Sequence, residues 1–398
     1  MTSSPSLGSQ QALSGFLISG LLTSCLGAFL PVWGYHLTSD FITAGNYFLC
    51  MNVGLLASVH AAHALLARRG IAFVLTTACA LACVSFLGLA LSCPPGPALG
   101  RAAGLLGLGV SAGLLNTAVF HAISPLYRQD RAATVTLAGA LYGLGCLITA
   151  LLAAGTYYVY TAPSILILFA VIPGLCAGLY ARVKFPRDQG PRHIPARQVL
   201  EDFKNPGAVL FTLLLFFQFG NEWSIAGWLP LFLIRRLGIS PEASLFLLAF
   251  YWASLLVGRL AAQALLQRMS HAKLLLSSVS LSLLGCVILT TSADRFGAGA
   301  GILFVGSGFA SIYPLVVERI GRRFSYYHPG LYNGIFSFAF TGGLLAPCAL
   351  GYLAHFGSIR VIMLGPLLGT SMVFALALLI LLESRLAAPP PSGRAARA

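Results

Sequence analysis

Twelve apolar stretches, each long enough to cross a bilayer, fall six and six around one basic polar segment, and no other feature constrains the fold as strongly. A membrane-spanning helix needs about 20 mainly apolar residues. The stretches lie at residues 12–35, 44–66, 71–92, 100–123, 134–157 and 163–183, then 207–233, 243–266, 273–292, 298–318, 331–354 and 359–382. Hydrophobic residues make up 58% of the 398 and charged residues 9%, against about 25% charged in ordinary soluble domains. The composition predicts an all-α integral membrane protein.

In a soluble protein the net charge of +14 would suggest nucleic acid, but its distribution argues otherwise. With the first residue inside, all but five of the 24 Lys and Arg fall on the inner side, six of them between Arg182 and Lys204. The five are Arg101, Arg235, Arg236, Arg295 and Arg360. Cytoplasmic loops retain positive charge during insertion, so both termini are expected in the cytoplasm and no nucleic-acid partner is expected. Met1–Gln11 has no Lys or Arg, which predicts an uncleaved first helix in place of a signal peptide.

The polar segment 184–206, KFPRDQGPRHIPARQVLEDFKNP, reads as a cytoplasmic linker. It divides the chain into an N-terminal bundle, 1–183, and a C-terminal bundle, 207–386; the Pro-, Ala- and Arg-rich residues 387–398 are expected to form a disordered tail. Eight of nine cysteines lie inside apolar stretches, where a thiol acts as a small hydrophobe, and only Cys93 approaches the outer surface. A disulfide framework is not expected. Glycines in the fourth and fifth stretches, Gly104, Gly107, Gly109 and Gly113 with Gly139, Gly143 and Gly145, suit close helix contact.

Six spans, a linker and six more is the layout of transporters built from two similar bundles, with the substrate site near the midplane. Four segments sharpen this. The seventh span reads FQFGNEWSIAGW from Phe217 to Trp228, followed by Phe250–Trp252 and Gly258-Arg259 in the eighth. The fourth and fifth carry Asn116 and the run Gly139–Gly145 with Tyr142; the tenth has Gly308–Pro314 with Tyr313, and the eleventh Gly342–Pro347 and Gly351. Together these resemble the major facilitator superfamily, and within it the fucose-permease-like branch of sugar:proton symporters. The resemblance implies twelve helices in two six-helix bundles, alternating access, and an inner-gate role for Arg259. The chain departs from that pattern: where proton-coupled sugar members place carboxylates in spans one and four, it has Thr23, Ser24, Asn116 and His121.

Nine of the ten carboxylates sit in loops or at helix ends, and only Glu222 lies near the middle of a span. A charge at the bilayer centre costs at least about 2.5–3.5 kcal/mol, so such a residue faces a cavity or a partner. Two roles compete for it: binding substrate or a coupling proton, or anchoring one helix to another. Gln218, Asn221, Glu222 and Ile225 share a face by their spacing, which suggests a lining stripe. Trp252 and Tyr251 are candidates for stacking on a sugar face, ahead of Trp228, which also suits an interfacial belt. Tyr142, Tyr313, Asn116 and Asn333 complete the candidates for substrate or proton binding. His60, His63 and His121 suit a proton relay or plain packing, with no carboxylate or Cys to complete a metal site. Gly109-Val-Ser111-Ala-Gly113 matches a hydrolase nucleophile pattern but lies inside an apolar helix, not at a strand-to-helix turn. No phosphate-binding Gly-x-x-x-x-Gly-Lys loop or His-Glu-x-x-His motif occurs.

The sequence therefore predicts a monomeric, multi-pass protein of the cell inner membrane, embedded in lipid, with no enzymatic activity, cofactor or metal. Its expected cargo is a small polar solute, first of all a sugar, with protons as the coupling ion. Efflux of amphipathic compounds and a non-transporting membrane sensor remain the alternatives.

Overall fold

The computed structural model describes residues 7–124, 126, 131–183, 185, 201, 203–324 and 335–386. After a short helix, Leu7–Ala12, come twelve long ones: α1 (Ser14–Val32), α2 (Phe41–Arg69), α3 (Ile71–Leu91), α4 (Ala98–Ala122), α5 (Arg131–Thr156), α6 (Ala162–Tyr180), α7 (Pro206–Leu237), α8 (Pro241–Leu266), α9 (His271–Thr291), α10 (Arg295–Arg323), α11 (Ile335–Phe356) and α12 (Val361–Leu386). Each predicted stretch forms one helix, and all twelve are long and apolar enough to cross a membrane. Helix is the form that bonds every backbone group within its own segment, which hydrocarbon demands. Several helices outrun their apolar cores: α2 continues to Arg69, α7 to Leu237 and α10 to Arg323. Charged residues there stay helical because a helix need not stop where hydrocarbon does. The predicted linker lies mostly outside the described residues, and the predicted tail lies wholly outside them.

The ends are set by local chemistry. Asp40 accepts from the Thr43 N–H at 3.1 Å and starts α2, and Asp294 accepts from Gly297 at 2.6 Å and starts α10. Asn205, Ser240 and Ser270 cap α7, α8 and α9 in the same way, satisfying N–H groups that have no partner in the first turn. Two loop carboxylates are thus employed as helix caps. Gly238, at φ +65°, closes α7 in the left-handed conformation that a side chain would strain.

Helices α1–α6 pack as one set and α7–α12 as another, by largely the same scheme shifted six helices along, the second set adding an extensive α7–α12 contact whose α1–α6 counterpart is slight. In the first set α1 lies on α5, α2 on α4 and α3 on both α4 and α6; in the second α7 lies on α11, α8 on α10 and α9 on both α10 and α12. The sets meet where α5 packs on α8, α2 on α11 and α1 on α7. Lipid offers no hydrophobic drive for helices to associate, so the seams rely on close approach of small residues. Gly20 and Gly145 set the backbones of α1 and α5 in contact: a Cβ on Gly20 would collide with the Tyr142 carbonyl, and one on Gly145 with the Leu17 carbonyl. Gly342 holds the equivalent place against Phe216 in the α7–α11 seam.

Gly145→Leu should therefore lower thermal stability in detergent by about 1–3 kcal/mol or more, the usual cost of overpacking. Gly88→Leu, whose added Cβ would meet nothing within 4 Å, should melt with the wild type. Melting curves followed by size-exclusion chromatography test the pair, and equal losses would refute the seam.

Candidate functional site

Between the bundles, residues from the middle of five helices line a small cavity. Thr23, Ser24, Leu26 and Gly27 come from α1, Phe48, Met51 and Asn52 from α2, and Tyr142 from α5; Glu222, Trp223, Ala226 and Gly227 come from α7 and Trp252 from α8. The first bundle supplies hydroxyls and an amide, the second a carboxyl and two indoles. The Thr23 and Tyr142 hydroxyls bond one another at 2.8 Å. Ser24 donates to the Gly20 carbonyl at 2.8 Å, and Asn52 donates through Nδ2 to the Phe48 carbonyl at 2.8 Å. Glu222 stands on the cavity wall, within the electrostatic reach of Arg259 on α8.

Glu222, Trp252 and Tyr142, all singled out from the sequence, are brought to one cavity. Asn221 is not part of its wall: its amide donates to the Thr370 hydroxyl of α12 at 3.3 Å, and its carbonyl lies against Gly369. The expected single stripe on α7 is therefore divided. Consecutive residues turn about 100° around a helix, and Asn221 and Glu222 face different neighbours. Gln218 is fully buried beside Glu222, and it lies outside the cavity lining. Tyr251 is fully buried, its ring 5.1 Å from that of Trp252. Tyr313 stacks against Phe219 at 5.5 Å, away from the wall. Asn116 accepts from Ser19 at 2.6 Å and joins α4 to α1.

Other readings are located as follows. Trp228 is fully buried between the bundles, donating to the Pro347 carbonyl at 2.9 Å with its ring beside Phe41 and Phe48, so it does not belong to an interfacial belt. The His63 and His121 rings meet edge to face at 5.5 Å. Asn333 and the side chain of His60 lie outside the described residues. Asn52 was absent from the sequence candidates. Its one available signal was an amide in the middle of an apolar stretch, the same signal that singled out Asn116.

The cavity is bounded at both ends. Toward the face opposite the termini, Gly27 lies against the Ala226 carbonyl, Gly227 against the Phe48 ring, and Gly45 against Gly351. At the rim Arg235 crosses from α7 to the α1–α2 loop, donating to the His36 carbonyl at 3.3 Å and to Ser39 Oγ at 2.8 Å, and Tyr352 donates to Asn46 at 2.9 Å. Burial holds the His36 imidazole below its ordinary range and the Arg235 charge adds to this, outweighing a backbone hydrogen bond. Toward the termini, Arg259 donates to the Gly139 carbonyl of α5 and so joins the bundles below the cavity.

A model of the Major Facilitator Superfamily matches residues 12–347. An uncharacterized MFS-type transporter of Yersinia pestis is 22% identical over 346 residues, 87% of this chain and 88% of that one. A putative glucose/galactose transporter of Helicobacter pylori is 28% identical over 152 residues, 36% of this chain and 35% of that one. Among solved structures, a D-xylose-proton symporter superposes with a TM-score of 0.73 at 16% identity, covering 94% of this chain and 96% of that one. The E. coli fucose:proton symporter gives 0.63 at 17% identity, covering 95% and 99%. At such identities these structures establish the shared fold.

The placement of Asn221 makes a distinction that can be measured. Asn221→Ala should lower thermal stability by about 0.6 kcal/mol, typical of one interhelical hydrogen bond in a membrane protein, and leave the apparent KM for any transported solute unchanged. A raised KM without loss of stability would put the amide in the solute's path.

Proposed function

The chain belongs to the Major Facilitator Superfamily, a family of transporters and not of enzymes, and we propose that it carries a neutral, polyhydroxylated solute, first of all a sugar, by proton-coupled alternating access. The observation that carries this reading is the single mid-membrane carboxyl, Glu222, on the wall of a cavity built by both bundles. A sugar has hydroxyls around its rim and apolar C–H faces. Asn52, Thr23, Ser24 and Tyr142 offer groups for the former, and Trp223 and Trp252 offer rings for the latter. The relatives, a putative glucose/galactose transporter and symporters of fucose and xylose with protons, support the same reading.

In this reading the positive-inside bias puts the termini in the cytoplasm of a cell whose inner membrane the protein spans as a monomer. Solute enters when the Gly45–Gly351 seam and the Arg235 bridge part, and leaves to the cytoplasm when the Arg259–Gly139 contact parts. Glu222 takes up a proton with the solute and gives it up on the inner side, its charge balanced by Arg259 while it is unprotonated. Coupling then rests on one carboxyl in the second bundle, in place of the acids that spans one and four lack. The rings of Phe48, Trp223 and Trp252 favour one second reading, efflux of amphipathic compounds.

Uptake of labelled hexoses and deoxyhexoses into proteoliposomes, with and without an inward proton gradient, tests the proposal. A gradient should accelerate uptake of at least one sugar in the wild type. Glu222→Gln should lose at least about nine-tenths of that acceleration while retaining sugar exchange across the membrane, because binding and isomerisation outlast the loss of a proton site. Full gradient response in Glu222→Gln would remove the carboxyl from the coupling. A correctly inserted wild type that moves no sugar would favour amphipathic substrates.

A further inference from the structure

Most polar groups on the cavity wall already have partners within the protein. Thr23 and Tyr142 bond each other, and Ser24 bonds the Gly20 carbonyl. Two atoms are left over. Asn52 is 2% exposed, and its Nδ2 is taken by Phe48, but its Oδ1 is buried with no partner. Trp252 is 3% exposed, and its Nε1 is likewise buried with no partner. Both residues line the same cavity, one from each bundle. Buried polar atoms without partners also occur at residues off the cavity wall, among them Thr76, Ser224 and Tyr251.

Leaving a buried donor or acceptor unpaired costs about 1–3 kcal/mol, and buried polar groups in native proteins are nearly always satisfied. An acceptor and a donor that break this rule in one cavity describe the missing partner: a neutral group able both to donate and to accept. We infer that Asn52 Oδ1 and Trp252 Nε1 are the hydroxyl-recognising pair of the transport site. Asn52 accepts from a ligand O–H, Trp252 donates to a ligand oxygen, and a ligand holding both ties α2 to α8. The hydroxyls are those of a sugar or of a sugar-bearing molecule such as a nucleoside. This rests on the transport reading above, and it adds the specificity determinants that Glu222 alone does not supply. Sites built to bond a hydroxyl reject analogues that lack it far more strongly than apolar pockets reject a changed methylene.

Two measurements on the full chain decide it. The first is the melting temperature of purified Asn52→Leu and Trp252→Phe without ligand. Neither should melt lower than the wild type, because each removes an unpaired polar atom and keeps most of the packing, and the one bond Asn52→Leu gives up is to a carbonyl of its own helix. A fall of about 3 °C or more in both would mean that these side chains hold the fold, and would overturn the inference. The second is competition for uptake between each transported sugar and its monodeoxy analogues. Wild type should discriminate against at least one analogue by about tenfold to a hundredfold, the effect of one buried group left unpaired, and Asn52→Leu should accept that analogue nearly as well as the parent sugar. Sugar transport with discrimination unchanged in Asn52→Leu would overturn the inference and leave the transport reading standing. Absence of sugar transport would defeat the sugar reading, and the melting comparison would still decide the role of the pair.

Discussion

A carboxyl group held midway along a membrane-spanning helix governs what can surround it. Hydrocarbon around Glu222 would cost at least about 2.5–3.5 kcal/mol; the structure places it instead on a cavity wall that also carries the Thr23–Tyr142 hydroxyl pair, with the Arg259 charge within reach. The position of that cavity follows from packing. Inside each bundle, glycines bring helix backbones into contact at the α1–α5 and α7–α11 seams and leave no room.

The joints that close this gap use glycines as those seams do, with polar bridges added at the rim. Within a bundle, contacts run along whole helices and are repeated by the six-helix shift. Between bundles, closure on the face opposite the termini depends on Gly27, Gly45, Gly227 and Gly351, with Arg235 and Tyr352 at the exposed rim. On the other side Arg259 reaches a backbone carbonyl of α5. Rim hydrogen bonds exchange readily with water and contribute little net energy. Two bundles with a cavity between them form an element that a solute can bias by binding one arrangement better than the other.

Much of this was legible in the sequence, for identifiable reasons. The twelve helices follow from the length of each apolar run, and Glu222 follows from being the one carboxylate away from a helix end. Tyr142 and Trp252, both candidates for substrate contact, reach the cavity. What could not be read was which partner faces each polar side chain. Asn221 and Glu222 are neighbours in the chain, yet one bonds Thr370 and the other faces the cavity. Asn116 is taken by Ser19, and Trp228 by Pro347. Asn52 has no charge and no motif, and its significance lies in an atom without a partner, which only three-dimensional neighbours disclose. Spacing along one helix fixes the direction of a side chain relative to its own axis; the identity of the facing helix comes from the packing of all twelve.

The central claim is that the two bundles part and rejoin on the face opposite the termini around a solute held between them. Distances between spin labels carried by unnatural amino acids at Leu37 and Phe356, exposed positions of the first and second bundle on that face, test it most directly in lipid nanodiscs. The account predicts two distance populations whose ratio shifts when a transported sugar is added. A single distance, unchanged by any sugar that the same preparation transports, would contradict it.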